Sequence, residues 1–353
     1  MIMALLFCLS SSFAVCNIHF SKQKVLPPVS MKDQCELGIC WLVSTLNQAE
    51  SILQKKLGHD MPLSITYSFY KYIEWYMDKV LDGKVSKHSN DVGDPIFEEG
   101  TDYYLGRIVL REFGVMPEQL YPSYDEMKQR DFLQKIIGRI QPIIDEFRAL
   151  SNQDEVRELY RQQVKEQLAF FTVKFPKTFM YKNEIYTPQE FYQKYIDEDK
   201  KVLVVENLPF DDSAVFIPVH IKKLGEDLEV KKRDRSSEYL LGQVRKEINQ
   251  GRPIWISIHL PLQKTYMLNG KRKYYINHKD GLFSAPNKEY ERLKASDSLH
   301  AMMVVGYTLD DFGKINYLKI MNTYGQKYGD QGYYWMDMNY FYKFSGILGI
   351  WTP

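Results

Sequence analysis

Apolar spacing in this chain changes period once, near Phe175, and that switch limits the fold more than any other feature. Before it, Leu42, Leu46, Ala49 and Leu53 predict a helix from Cys40 to about Leu57, stopped by Gly58. An aromatic-rich stretch predicts a second helix from Ser64 to about Leu81. A polar loop follows from Asp82 to Gly93, and a third helix is expected from Asp102 to Phe113, stopped by Gly114. The densely charged segment from Tyr124 to Phe171 keeps a helical period and is divided into two or three helices by breaks at Gln141-Pro142 and Ser151-Asn152. After the switch, Lys201 to Val205, Val215 to Ile221, Pro253 to Ile258, Ala301 to Tyr307 and Ile315 to Met321 read as strands, interrupted by one helix from Ser237 to Ile248. Helices first and strands later define an α+β protein of two packed lobes with a cleft between them.

The 353 residues are 44% hydrophobic and 26% charged, a globular mixture with room for one or two cores, and the net charge of +1 supplies no field for nucleic acid or anionic lipid. Met1 to Cys16 is apolar and ends in small residues, the shape of a signal peptide cleaved just after Cys16, although it carries no Lys or Arg. A misassigned start or a buried N-terminal strand is the alternative. The expected location is therefore secreted or periplasmic, with cytoplasmic as the alternative. No other stretch is long and apolar enough to span a membrane. The expected division is a signal peptide over 1–16, a helical lobe over 17–123, a charged helical insertion over 124–172 and a β-rich lobe over 173–353. The insertion reads as decoration of the lobe or an aid to specificity; a lid, an inhibitory element and a docking surface are the alternatives. Of four cysteines, Cys35 and Cys40 remain after cleavage, and two thiols five apart leading into one helix are poorly placed for a disulfide.

Cys40 opens the first helix, where the helix dipole favours a thiolate. His300 would pair with it and protonate a leaving amine, Asn322 would orient the ring through its carboxamide oxygen, and Gln34 with the Cys40 backbone N–H would stabilise an oxyanion. Each residue alone has an ordinary reading: a buried core cysteine, a satisfied core histidine, an asparagine ending a strand, a glutamine entering a helix. In the order Gln, Cys, His, Asn they read together as a thiol hydrolase. The remaining histidines show no zinc-ligand spacing and no Gly-rich phosphate loop occurs, so neither metal nor cofactor is expected.

Gln34, Cys40-Trp41, His300-Ala301 and Asn322-Thr323-Tyr324-Gly325 resemble the motifs of the papain-like cysteine peptidases. The segment from Glu99–Asp102 through Glu112–Pro117 resembles the one that forms a wall of the family's substrate cleft, and Thr187 to Tyr192, Val204 to Asn207 and Gly329 to Tyr333 resemble elements of the bleomycin hydrolase branch, which the long interval from Cys40 to His300 also favours. The resemblance runs from about Pro27 to Trp351. It implies a two-lobe fold with a helical left lobe, an antiparallel β-barrel-like right lobe and a helical insertion. It also implies a peptide or protein substrate, met by Gly100, Thr101, Trp41, Leu299 and Tyr324. A monomer is the expected state.

Three departures bear on function. Tyr324 stands where the family usually has a shielding tryptophan, and Thr101 replaces a cleft-wall glycine. The sequence after the last matched strand holds no arm like the one that imposes exopeptidase action in bleomycin hydrolase, so endopeptidase action is expected. Cys35 stands at a position usually glycine. A non-catalytic peptide-binding protein and an acyl transferase with the same residues are the alternatives.

Overall fold

The computed structural model describes residues 22–83, 103–122, 131–171, 175–197, 201–206, 228–231 and 237–352, apart from positions 262, 270, 280 and 293. The expectations for Met1 to Cys16, for most of the polar loop, for a strand at Val215 to Ile221 and for Gly100 and Thr101 lie outside the described residues.

The helical lobe is arranged around α1 (Cys40–Leu57), which is buried from Cys40 to Ser51. A surface helix would show one apolar stripe; α1 is enclosed by neighbours on every side, so its polar side chains must find internal partners. It stops at Gly58, whose left-handed backbone (φ 80°) lets its N–H reach the Gln54 carbonyl. α2 (Ile65–Leu81) starts where the Ser64 hydroxyl accepts from the Tyr67 N–H. α3 (Tyr103–Phe113) approaches α1 at Gly106, where an added Cβ would lie 2.3 Å from Thr45 Oγ1.

α4 (Phe132–Ala149) and α5 (Gln153–Ala169) form the charged segment and are joined at 150–152. Arg161 of α5 fastens them to α2 through Asp78 and Asp82, each at 2.9 Å. The expected break at Pro142 does not occur: α4 runs through it. Ile136, Ile140, Ile144 and Phe147 form one buried face, and this burial outweighs the roughly 3 kcal/mol that an interior proline costs. α6 (Pro188–Tyr195) completes the lobe and begins with a capping box between Thr187 and Glu190.

The strands are β1 (Gln23–Val25), β2 (Phe179–Tyr181), β3 (Glu184–Tyr186), β4 (Lys201–Glu206), β5 (Leu228–Lys231), β6 (Ile254–Pro261), β7 (Thr265–Leu268), β8 (Lys271–Tyr274), β9 (Ile276–Asn277), β10 (Leu282–Phe283), β11 (Ala295–Leu309), β12 (Ile315–Met321), β13 (Tyr333–Asp337) and β14 (Ser345–Thr352). One sheet has the order β5-β4-β14-β6-β11-β12-β13-β10-β9, with β1 added to β11. Its pairs are antiparallel except β4 with β5 and β10 with β13. β2–β3 and β7–β8 are separate hairpins. Helices α7 (Ser237–Asn249), α8 (Asn287–Arg292) and α9 (Met338–Phe344) accompany the sheet. The single helix expected among the strands is thus corrected to several, because α6, α8 and α9 are too short to display a helical period.

Among the described residues two large hydrophobic cores form, one among α1 to α6 and one between the sheet, α7 and α9, with a small third cluster of Val29, Met303, Val305 and Met321. Trp255 of β6 and Ala301 of β11 belong to the helical core, so the lobes share a seam. There Trp255 Nε1 donates to the Trp41 carbonyl at 3.2 Å, and Gln48 Nε2 donates to the carbonyls of Pro253 (2.9 Å) and Gly349 (3.2 Å). Tyr103 Oη closes the network by donating to Gln48 Oε1 at 2.9 Å.

Candidate active site

Cys40 is the first residue of α1, and the first amides of a helix have no intrahelical acceptor. The backbone amides of Cys40, Trp41 and Ala301 all face its sulfur. Ala301 follows His300 on β11, so the sulfur lies against the strand beside the imidazole. Burial pushes the thiol pKa up, partly offset by these amides, with Ala301 foremost.

His300 is in register with Ile258 of β6, and Asn322 lies just beyond β12. His300 Nε2 is 3.1 Å from Asn322 Oδ1. The carboxamide oxygen can only accept, so Nε2 carries the proton and Nδ1 is bare. Tyr324 stacks on the imidazole at 5.0 Å with an interplanar angle of 10°. It covers the histidine from the position where the family usually has a shielding tryptophan. Burial holds the imidazole down to about 4, against the bond to Asn322, and the nearby His278 adds to the depression. Burial thus disfavours an isolated charge on either group. Moving a proton from thiol to imidazole leaves the net charge unchanged.

Gln34 is locked to the same strip. Its N–H donates to the Thr323 carbonyl at 2.7 Å, its Oε1 accepts from the Thr323 hydroxyl, and its Nε2 donates to the Leu37 carbonyl at 2.8 Å. One amide hydrogen of Nε2 is left for a further acceptor. Cys35 next to it adopts a left-handed backbone (φ 57°), held by its N–H to Asp33 Oδ1 at 2.8 Å. That conformation suits the glycine usual here; the Asp33 turn lets a cysteine occupy it.

Asp33 to Gly38, Tyr324, Lys327 and Tyr328 line a pocket of about 590 Å³ beside this group. Cys40, His300, Asn322, Gln34 and Tyr324 are therefore brought together, and Leu299 is exposed next to His300. Trp41 requires correction. The residue is 1% exposed, its ring packs edge-on against Tyr72 of α2 at 4.8 Å and its carbonyl accepts from Trp255 at the seam, so the structure places it in the core and away from the pocket. Thr323 was missed by sequence reasoning, although it sits inside the Asn322-Thr323-Tyr324-Gly325 motif; nothing local shows that its hydroxyl clamps Gln34. Among the described residues, no group of three or more His, Cys, Asp or Glu side chains could hold a metal.

A thiol at the start of a helix, packed against the strand that carries an imidazole, is the arrangement of a papain-like cysteine peptidase, and comparison with known proteins agrees. The chain belongs to the peptidase C1-like family, whose model matches residues 11–346. It is 25% identical over 351 residues to "Aminopeptidase C" of Lactobacillus helveticus, covering 88% of this chain and 77% of the relative. It is 21% identical over 360 residues to "Cysteine proteinase 1, mitochondrial" of Saccharomyces cerevisiae, covering 90% of this chain and 74% of the relative. The crystal structure of PepW from Lactobacillus rhamnosis shares the fold, with a TM-score of 0.67 at 18% identity over 94% of this chain and 81% of that one. The bleomycin hydrolase branch is thereby supported, and the chain is a hydrolase acting on peptides or proteins.

Proposed function

We propose that this thiol peptidase removes residues from the free amino end of peptides, with Cys40 as nucleophile. The observation that carries the chemistry is the 3.1 Å contact between His300 Nε2 and Asn322 Oδ1, which leaves Nδ1 to receive the Cys40 proton. The sulfur attacks the carbonyl carbon, and the oxyanion takes the free Gln34 Nε2 hydrogen and the Cys40 amide. His300 then returns the proton to the leaving amine, which departs on the histidine's side, toward the pocket lined by Tyr324 and Tyr328. Water repeats the sequence to release the acyl group.

The amino-terminal preference is supported by relatives named aminopeptidase C, from Lactobacillus helveticus and from Listeria monocytogenes. It replaces the endopeptidase expectation. The wider reading keeps a monomer exported by the Met1 to Cys16 segment, with α4–α5 decorating the helical lobe. N-terminal sequencing and light scattering of the protein made in its own cell check the first two.

The decisive assay compares fluorogenic dipeptides carrying a free or an acetylated amino end, on the wild type and Cys40→Ala. Cleavage of the free form alone, lost in the variant, supports the proposal. Equal cleavage of the acetylated form sinks the aminopeptidase reading, and full activity in Cys40→Ala sinks the thiol mechanism.

A further inference from the structure

The loop carrying Gln34 is gripped from both lobes by one residue. On the side of the sheet, the Lys32 carbonyl accepts from the Gly325 N–H at 3.0 Å, and Asp33 bridges Tyr324 in antiparallel fashion. On the side of the helices, the Lys32 ammonium is buried 2.8 Å from Glu50 Oε1 and 2.7 Å from the Leu63 carbonyl. The Leu63 N–H donates to the same Glu50 oxygen at 2.5 Å. Glu118 is a more distant partner, at 3.5 Å.

Glu50 lies three turns along the helix that Cys40 opens, and Leu63 just precedes α2. One side chain therefore joins the nucleophile's helix to the strip that holds both Gln34 and Asn322. Removing two charges from water is expensive, and a buried ion pair contributes little net stability over an apolar substitute. What it supplies here is geometry: an ammonium has fixed contacts to make, and an apolar side chain has none.

We propose that Lys32 is a positioning residue, setting the Gln34 amide and the Asn322–Gly325 strip at the correct distance from the Cys40 sulfur. An oxyanion donor must lie about 3 Å from the developing charge, and a misplacement of about 1 Å can lower a rate about a hundredfold. The kinetic part of this inference rests on the peptidase reading above; the structural part does not.

The test uses Lys32→Met and the double variant Lys32→Met/Glu50→Leu, each in the wild-type and Gln34→Ala backgrounds. Where Lys32→Met alone fails to fold, the double variant, which removes both charges, carries the test. The expected result is about a tenfold fall in kcat with KM within about twofold, and a much smaller further fall when Gln34 is already alanine. Amide hydrogen exchange should quicken about tenfold at Gln34 and Gly325 while Leu46, inside α1, keeps its protection. An equal fall in both backgrounds, or exchange at Gln34 and Gly325 that does not change, overturns the inference. A wild type without Cys40-dependent turnover sinks the peptidase reading, and the exchange measurement alone then decides the role of Lys32.

Discussion

His300 makes the stability of this protein sensitive to acid in a way that one substitution isolates. Burial under Tyr324 and against β6 holds the native imidazole down to about 4, whereas the unfolded chain titrates it near 6.5. The unfolded state thus binds the extra proton first as pH falls. The native state has its full advantage above pH 6.5 and loses it as pH drops toward 4. The gap between 6.5 and about 4, at about 1.4 kcal/mol per pH unit, amounts to about 3 kcal/mol. Because the side chain is almost wholly buried, solvent screening removes little of this. Glu50 opposes it: its carboxyl is pushed up to about 7, chiefly by burial, so its contribution is present below pH 4.5 and fades as pH rises through 7. The two nearly cancel in the wild type between pH 4.5 and 6.5, so the raw curve conceals both. Substituting His300→Gln removes one. Urea unfolding of wild type and variant at pH 7.5, 5 and 4 should show the variant gaining about 2 kcal/mol on the wild type by pH 5 and about 3 kcal/mol by pH 4. A difference that stays constant across this range would refute the argument that burial keeps His300 neutral, as would an imidazole resonance titrating near 6.5.

Three further outcomes are expected. Asn322→Ala removes the acceptor that fixes the ring and leaves a buried N–H unpaired, so kcat/KM should fall roughly tenfold to a hundredfold and stability by about 1–3 kcal/mol; unaltered kinetics would show that Tyr324 alone orients His300. Gln48→Leu removes the hydrogen bonds to the Pro253 and Gly349 carbonyls and the one from the Tyr103 hydroxyl, and should cost about 2–4 kcal/mol in denaturant unfolding; a loss below about 0.5 kcal/mol would deny the seam its polar network. Pro142→Ala should raise stability by about 1–3 kcal/mol, since the proline is exposed on a continuous helix, and a lower melting temperature would count against that account.

What could be read from the chain beforehand was whatever is written locally. The start of α1 at Cys40 and its end at Gly58 follow from spacing and from one glycine; the limits of β12 at Ile315 and Met321 follow from a dense apolar run. Pro142 misled because its local penalty is visible in sequence and the Ile136-Ile140-Ile144 contact that overrides it is not. Trp41 misled because adjacency to the nucleophile suggests the cleft, whereas its ring points into a core completed by Trp255, more than two hundred residues later. The site divides the same way. Residue types and order announced Gln34, Cys40, His300 and Asn322, yet the Thr323 clamp on Gln34 and the Lys32–Glu50 pair exist only when distant segments meet.

That distance has a consequence for how the enzyme comes into being. The strip Asn322–Gly325, which grips Gln34 and shields His300, lies far downstream of Cys40, and so does the strand bearing His300. A ribosome exposes the thiol early, but with neither base nor oriented amide beside it. A nascent chain that has not yet reached Asn322 therefore carries Cys40 without the groups that surround it in the folded protein.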